Sequence, residues 1–135
     1  MGKREDVERL LRGAYDARLR GDIDAMLRVF SDDVRFQVAG AEKASAVATE
    51  VSGREQFRSL LVQLVRTFEL LEHKILTMTV DGDSATVHWR AKFRSSVTQE
   101  VVETELVDVI KLHDGRITSF IEFCDTALAS RLMGK

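Results

Sequence analysis

The 135-residue chain has no proline, a single cysteine (Cys124), and no apolar run near the roughly 18 residues that a membrane helix needs. One cysteine excludes an intramolecular disulfide framework, and we expect no membrane partner. No low-complexity tract and no repeat of roughly 20–50 residues is visible, which excludes linkers and solenoids. We therefore expect a single domain spanning residues 1–135.

The chain also lacks an excess of one charge, because 20 Lys and Arg residues stand against 22 Asp and Glu residues, for a net charge of −2. Phosphate binding needs clustered cations, so nucleic acid is not an expected partner. The N-terminal segment is charged where a signal peptide is apolar, and Asp6 stands where a myristoylation motif requires Ser or Thr. We expect a cytoplasmic protein.

Apolar residues in the first half recur at helical spacing. The stripe over residues 6–20 predicts an amphipathic helix that ends at Gly21. Asp22 is placed to cap a second helix that carries apolar residues as far as Phe30. Residues 31–33 are predicted to close that helix, and the alternation over residues 34–38 predicts a short strand.

A third helix is indicated by Ser52-x-x-Glu55, a capping-box pattern that precedes an apolar stripe from Phe57 to Phe68. Residues 39–51, between the strand and this helix, are rich in Ala, Ser and Thr. A connection of this length is uncommon in a compact domain. Two interpretations stay open, a lid over a pocket and a plain surface loop.

The second half alternates in the manner of β-strands. Segments near residues 73–80, 85–97, 100–113 and 116–125 are predicted strands, with hairpin turns at residues 81–83 and 114–115. Helices followed by such strands are an α+β pattern. We expect three N-terminal helices packed on a curved antiparallel (mixed) sheet that encloses an apolar pocket.

Charge complementarity suggests a register for the two long strands. Pairing Arg94 with Glu103 and Lys92 with Glu105 places opposite charges across the strands, which contributes about 0.2–1 kcal/mol for each pair. The same register places Trp89 opposite Asp108. We interpret the charged side of these strands as a solvated or interfacial face.

Three segments resemble the NTF2-like superfamily: residues 21–25 (GDIDA), 30–34 (FSDDV) and 53–57 (GREQF). The pattern is that of ketosteroid isomerases and SnoaL-like polyketide cyclases, and it continues through residues 107–110 (VDVI) and 114–117 (DGRI). The resemblance implies a cone-shaped fold with a pocket for a small hydrophobic molecule. It also implies a homodimer formed through the sheet, because superfamily relatives commonly pair in that way.

When the catalytic residues of ketosteroid isomerases are mapped by position onto this sequence, the resulting site is incomplete. The position of the general base is Val38, and the position of the oxyanion tyrosine is Ala14, one residue before Tyr15. The second oxyanion donor, a protonated Asp, matches Asp108. The arginine of limonene-epoxide hydrolases falls on Leu106, so that set is incomplete as well.

An acid pair is the remaining candidate for chemistry. Asp108 lies on the apolar face of its strand, where lost solvation raises the pKa of a carboxyl group. The family pattern of the final hairpin places Glu122 directly across from it, and two close carboxyls share one proton. A shared proton suits general acid–base catalysis. Two other interpretations stay open: either acid accepts hydrogen bonds from a buried Arg or Tyr, or a bulge turns Glu122 outward.

We expect Asp108 and Glu122 to be catalytic and seven other residues to contact a ligand: Tyr15, Gln37, Val38, Trp89, Leu106, Phe120 and Cys124. A tyrosine on an amphipathic helix is more often simply a core residue, so that interpretation of Tyr15 is favoured. Gln37 is equally explained as a plain strand residue. Cys124 has no basic neighbour, which favours a buried inert thiol. The histidines have no partners at ligand spacing, so neither a metal nor a cofactor is expected.

Two function classes remain. The first is a cofactor-independent isomerase, cyclase or hydrolase that exchanges protons with a small hydrophobic substrate. The second is a non-catalytic ligand-binding or dimerisation module whose carboxyls are held in internal hydrogen bonds. Loss of the isomerase base favours the second class, and the acid retained on an apolar face favours the first.

Overall fold

A computed structural model describes residues 3–41 and 47–135. Its elements in chain order are α1 (Lys3–Arg20), α2 (Ile23–Arg28), β1 (Phe30–Val38), β2 (Thr49–Ser52), α3 (Arg54–Thr67), β3 (Phe68–Asp81), β4 (Ser84–Ser95), β5 (Val101–His113), β6 (Arg116–Phe123) and α4 (Thr126–Leu132). Within these described ranges no helix is both long and apolar enough to cross a membrane.

The six strands form one sheet in the order β2-β1-β6-β5-β4-β3. Strand β1 runs parallel to β6, and the other neighbours are antiparallel. Helix α1 packs on β3, and α3 packs on β1 and β3, so the helices cover one face of the curved sheet. The α+β class and the mixed sheet predicted from the sequence are confirmed.

The first helix ends where its pattern predicts. Gly21 has a φ of +69°, a left-handed conformation that glycine adopts without steric cost. The side chain of Asp22 then accepts a hydrogen bond of 3.0 Å from the Ala25 amide, which makes it the N-cap of α2. At the other end of the chain, Asp125 caps α4 by accepting a bond from the Leu128 amide.

Two predicted boundaries near α2 and α3 are wrong. Helix α2 stops at Arg28 and Phe30 begins β1, because the Phe30 ring packs in the core 4.6 Å from the Phe57 ring. Ser52 does not cap α3; Gly53 is the N-cap and makes no side-chain cap bond. The side chain of Gln56 instead accepts a bond of 3.1 Å from the Ser52 amide.

The predicted connection over residues 39–51 is shorter than expected. Its last residues belong to β2, which pairs with β1 through Val51 and Thr49. Residues 42–46 lie outside the described residues, so the choice between lid and surface loop stays open. An edge strand of four residues escapes sequence prediction because its pairing partner, rather than its own pattern, stabilises it.

The predicted β4–β5 register is wrong by two residues. Arg90 pairs with Glu105, and Trp89 pairs with Leu106 rather than with Asp108. A shift of two residues leaves every side chain on its original face, so alternation cannot detect it. The charge complementarity survives with different partners, since Glu105 contacts His88 at 2.6 Å and Arg90 at 3.5 Å.

The buried Ser95 at the end of β4 joins the β4–β5 turn to the C-terminal helix. Its hydroxyl donates a 2.5 Å hydrogen bond to the carbonyl of Leu132 and accepts bonds from the amides of Val97 and Thr98. Arg131 pairs with Glu100 at 2.6 Å on the same side of the molecule. Helix α4 is therefore anchored through the turn that sets the register of β4 and β5.

We expect Ser95→Ala to lower the free energy of unfolding by about 1–3 kcal/mol, because a buried carbonyl and two amides lose their partner. Chemical denaturation measures the difference. The neighbouring exposed Ser96→Ala is the matched control and is expected to change stability by less than about 0.5 kcal/mol. Equal effects of the two substitutions would contradict the proposed anchor.

Candidate functional site

The concave face of the sheet and helices α1, α3 and α4 enclose a cavity. The cavity has a volume of about 120 Å³, measured as the space open to the centre of a water molecule. A single water needs roughly 10–15 Å³ on this scale, so a small organic molecule fits. The wall is predominantly apolar, with rings and aliphatic side chains that include Leu11, Met26, Phe30, Phe36, Phe57, Leu61, Phe93 and Leu132.

Most of the predicted site residues reach this cavity. Those that line it are Tyr15, Val38, Trp89, Leu106, Phe120, Glu122 and Cys124. Gln37 does not, because Phe36 and Val38 face inward and strand alternation turns the residue between them to the outer face. The structure therefore does not bring Gln37 to this cavity with the other predicted site residues.

Asp108 is fully buried and lies behind the cavity wall rather than on it. The Tyr15 hydroxyl donates a 2.5 Å hydrogen bond to its Oδ2 atom, and the Trp89 indole N–H donates a 2.8 Å bond to the same atom. Although Trp89 pairs with Leu106 in the backbone register, its long side chain reaches the next inward residue of β5. Tyr15, Trp89 and Asp108 thus join α1, β4 and β5.

Glu122 lies directly across from Asp108 in the β5–β6 register, so the predicted pairing of the two acids is confirmed. Each carboxyl group influences the pKa of the other. Burial disfavours two adjacent negative charges, which favours a state in which the pair keeps one proton. Oδ1 of Asp108 is buried and receives no bond from another donor in the described part of the chain. A proton on Oδ1, donated to Glu122, satisfies both groups.

The pKa directions agree with this arrangement. Burial raises the pKa of Asp108 well above its ordinary value, the charge of Glu122 raises it further, and the bonds from Tyr15 and Trp89 oppose the shift. Burial also raises the pKa of Glu122, but the bond from Asp108 and the charge of Arg18 oppose that change. The larger upward shift at Asp108 favours a proton on that residue over one on Glu122.

Tyr15 is a neutral hydrogen-bond donor in this site. Burial raises its pKa well above the ordinary value, and the neighbouring Asp108 adds to the shift. Its ring stacks on His73 with centroids 4.5 Å apart and packs against Trp89 at 5.5 Å. The hydroxyl is consequently held in one direction, toward Asp108. Tyr15 is a core residue that also lines the cavity, and its contact with a ligand stays a prediction.

Sequence reasoning missed Arg18, which also lines the cavity. Its Nη2 atom donates a 2.6 Å hydrogen bond to the carbonyl of Phe68, and its guanidinium carbon lies 5.8 Å from the centre of the Phe93 ring. Burial lowers the pKa of Arg18, and the charge of Glu122 opposes that change. The sequence did contain one indication that Arg18 lies near the cavity. Arg18 follows Tyr15 by three residues and therefore lies on the same side of α1.

Two other groups near the cavity are inert. Burial raises the pKa of the Cys124 thiol to about 12, so it is not a thiolate nucleophile at neutral pH. Burial lowers the pKa of His73, whose Nε2 atom has no partner in the described residues, so the imidazole is neutral. Residues 3–41 and 47–135 contain no group of three His, Cys, Asp or Glu side chains placed to hold a metal ion.

Solved structures share this architecture. A provisionally assigned isomerase from Bacillus subtilis superposes with a TM-score of 0.87 at 15% identity, covering 99% of this chain and 96% of its own. A provisionally assigned polyketide cyclase from Xanthomonas campestris gives 0.79 at 17% identity, covering 97% and 98%. An LEH-like epoxide hydrolase from M. tuberculosis gives 0.73 at 18% identity, covering 96% and 89%. At these identities the likeness shows the fold alone, the NTF2-like or ketosteroid isomerase-like cone.

The sequence itself matches the model of the SnoaL-like domain over residues 11–120. The chain therefore belongs to the SnoaL-like domain family, in agreement with the resemblance in its motifs. No curated protein matches the chain. Family membership leaves the chemistry to be argued from the side chains.

The shared proton predicts an unusual pH dependence of stability. The folded acid pair keeps a proton that both carboxyls release near pH 4 in the unfolded chain. The contribution of the pair to the free energy of unfolding is therefore expected to fall as the pH rises from about 4 toward the raised pKa of the pair. Asp108→Asn, whose amide reproduces the protonated acid, is expected to flatten this dependence while keeping the bonds from Tyr15 and Trp89.

Denaturation midpoints between pH 4 and 9 measure this effect. Asp108→Ala leaves the Tyr15 and Trp89 donors without an acceptor. It is expected to lower the free energy of unfolding by at least about 2 kcal/mol at every pH. The exposed Asp81→Asn is the control for the loss of a carboxylate and is expected to keep the wild-type slope. The buried His73, whose pKa is lowered, adds the opposite slope to both proteins, so the test is the difference between them. Equal slopes for wild type and Asp108→Asn would refute the shared proton.

Proposed function

We propose that this SnoaL-like protein is a cofactor-independent acid–base enzyme of isomerase type that acts on a small hydrophobic molecule in the cavity. One observation supports it above the others. The carboxyl group of Glu122 lines an apolar cavity and is paired across the strands with the buried Asp108, whose pKa is raised by burial.

Glu122 is the proposed base. It pairs with Val38 in the parallel β1–β6 register, and Val38 is the position at which the resemblance to ketosteroid isomerases expects the base. The carboxylate therefore stands one strand away from that position, on the same concave face. Poor solvation raises the pKa of Glu122, which increases its ability to take a proton from carbon.

The proposed step is proton transfer at a carbon beside a carbonyl group. Glu122 removes the proton, the C–H bond electrons move onto the carbonyl oxygen as an enolate, and the proton returns from Glu122 to the same or a conjugated carbon. Asp108 touches Glu122 rather than the ligand, so it is a positioning residue that holds the carboxylate through its own proton. Tyr15 and Trp89 hold Asp108 in turn.

We expect the protein to catalyse exchange of the α-protons of cyclohexanone in D2O, followed by NMR. Glu122→Gln is expected to reduce the rate at least about 100-fold, since a positioned general base contributes about 10²–10⁴. Glu103→Gln, the same change on the exposed outer face, is the matched control and is expected to keep the wild-type rate. Exchange no faster than in buffer would refute catalysis on this ketone.

A second candidate function is non-catalytic binding in the same cavity. It is favoured by the position of Asp108, which is closed off from the cavity and already accepts two hydrogen bonds. In that case Glu122→Gln would leave ligand affinity within a few fold. Ligand binding without any Glu122-dependent exchange would identify the binding module.

We also propose that a second copy of the chain covers the outer face of the sheet. Phe123 is 49% exposed there, and it pairs with Val107, while Ile121 pairs with Val109 on the same face. Charged side chains of both signs from β4 and β5 flank this apolar patch, a pattern compatible with self-complementary pairing.

Phe123→Lys is expected to shift a dimer toward monomer in light scattering after size exclusion, because it buries a charge in the apolar patch. Leu19→Lys changes another exposed apolar residue, on α1, and is expected to leave the assembly unchanged. A wild-type monomer at micromolar concentration would overturn the proposed dimer.

A further inference from the structure

Arg18 is a half-buried cation on the wall of an apolar cavity, and it holds more hydrogen-bond donors than its neighbours use. A guanidinium carries five N–H donors, and the bond to the Phe68 carbonyl uses one of them. Among the described residues no carboxylate is in ion-pair contact with Arg18. Its remaining N–H groups are therefore available to an oxygen acceptor in the cavity that it lines.

The charge balance of the cavity restricts that partner. With the proton on Asp108, the site holds one negative charge on Glu122 and one positive charge on Arg18, and both side chains line the cavity. A carboxylate ligand would add an uncompensated negative charge beside Glu122 in an apolar space. A neutral oxygen acceptor takes the free donors of Arg18 without disturbing this balance.

The direction of the donors adds a second restriction. The Tyr15 hydroxyl and the Trp89 indole both direct their hydrogens toward Asp108, so these two donors are occupied. Arg18 is left as the strongest free donor on the wall. It stands on α1, while Glu122 stands on β6, so a ligand between them meets a donor and a proton acceptor from different elements.

We propose that Arg18 selects the ligand of this cavity: a small neutral molecule with an apolar frame and one carbonyl oxygen, which the free guanidinium N–H groups bind. The inference deepens the proposed function and shares its cavity. Its test measures binding alone, so it stands or fails separately from catalysis by Glu122.

Trp89 is the only tryptophan in the chain and lies on the cavity wall, so its indole N–H gives a single reporter signal in the NMR spectrum of ¹⁵N-labelled protein. Three ring-matched probes are titrated: cyclohexanone, cyclohexene and cyclohexanecarboxylate. We expect wild type to bind cyclohexanone at least about tenfold more tightly than either of the others, because a hydrogen bond to a charged donor distinguishes the ketone.

Arg18→Met is expected to abolish the preference for cyclohexanone over cyclohexene while leaving cyclohexene binding unchanged, which also shows that the cavity is intact. Arg18→Lys keeps the cation and is expected to retain part of the preference. The exposed Arg66→Met, the same change on α3, is expected to behave as wild type. Arg18→Gln replaces Arg18→Met if the latter does not fold.

Three results would overturn the inference: no cyclohexanone binding by wild type, a ketone preference that survives removal of the cation, or tighter binding of cyclohexanecarboxylate than of cyclohexanone. If the Arg18-dependent preference holds and α-proton exchange is absent, the ligand class stands and the catalytic proposal fails. If exchange is present but independent of Arg18, the catalytic proposal is supported and the assignment of Arg18 is wrong.

Discussion

The hydrogen bonds around Asp108 are the constraint on which the rest of the site depends. A carboxyl group with no solvent exposure is stable only if each of its oxygens has a partner. Oδ2 meets this requirement through Tyr15 and Trp89, and a proton on Oδ1 meets it toward Glu122. One buried side chain therefore joins α1, β4, β5 and β6. Any change in the position of these elements leaves a polar atom unpaired.

The same group determines the electrostatics of the cavity. In the proposed arrangement Asp108 keeps its proton, and Glu122 carries the negative charge on the wall. Arg18 balances it from α1 and is held in place by the Phe68 carbonyl. An otherwise apolar cavity thus presents one base and one cation. That is the minimum needed to bind a polarised group and to move a proton beside it, which is why both proposals refer to these side chains.

Several parts of the fold and site could be read from local pattern. The stripe of α1, the left-handed Gly21 and the Asp22 cap are encoded within a few residues of one another. The alternation of β5 placed Asp108 on the inward face, and motif resemblance placed Glu122 beside it. Other features depended on distant partners. The β4–β5 register, the edge strand β2 and the first residues of β1 are stabilised by packing or pairing that no local pattern reports.

The sequence by itself determined the α+β class and the face of β5 on which Asp108 lies, because periodicity of two and of 3.6 residues is a local property. The resemblance to a family then supplied Glu122 as the partner of Asp108. Only the tertiary structure decided that Asp108 lies behind the wall, that Gln37 faces outward and that Arg18 enters the cavity. The physical reason is distance along the chain. Tyr15 and Asp108 are 93 residues apart, and their hydrogen bond exists only after the helix has packed on the sheet.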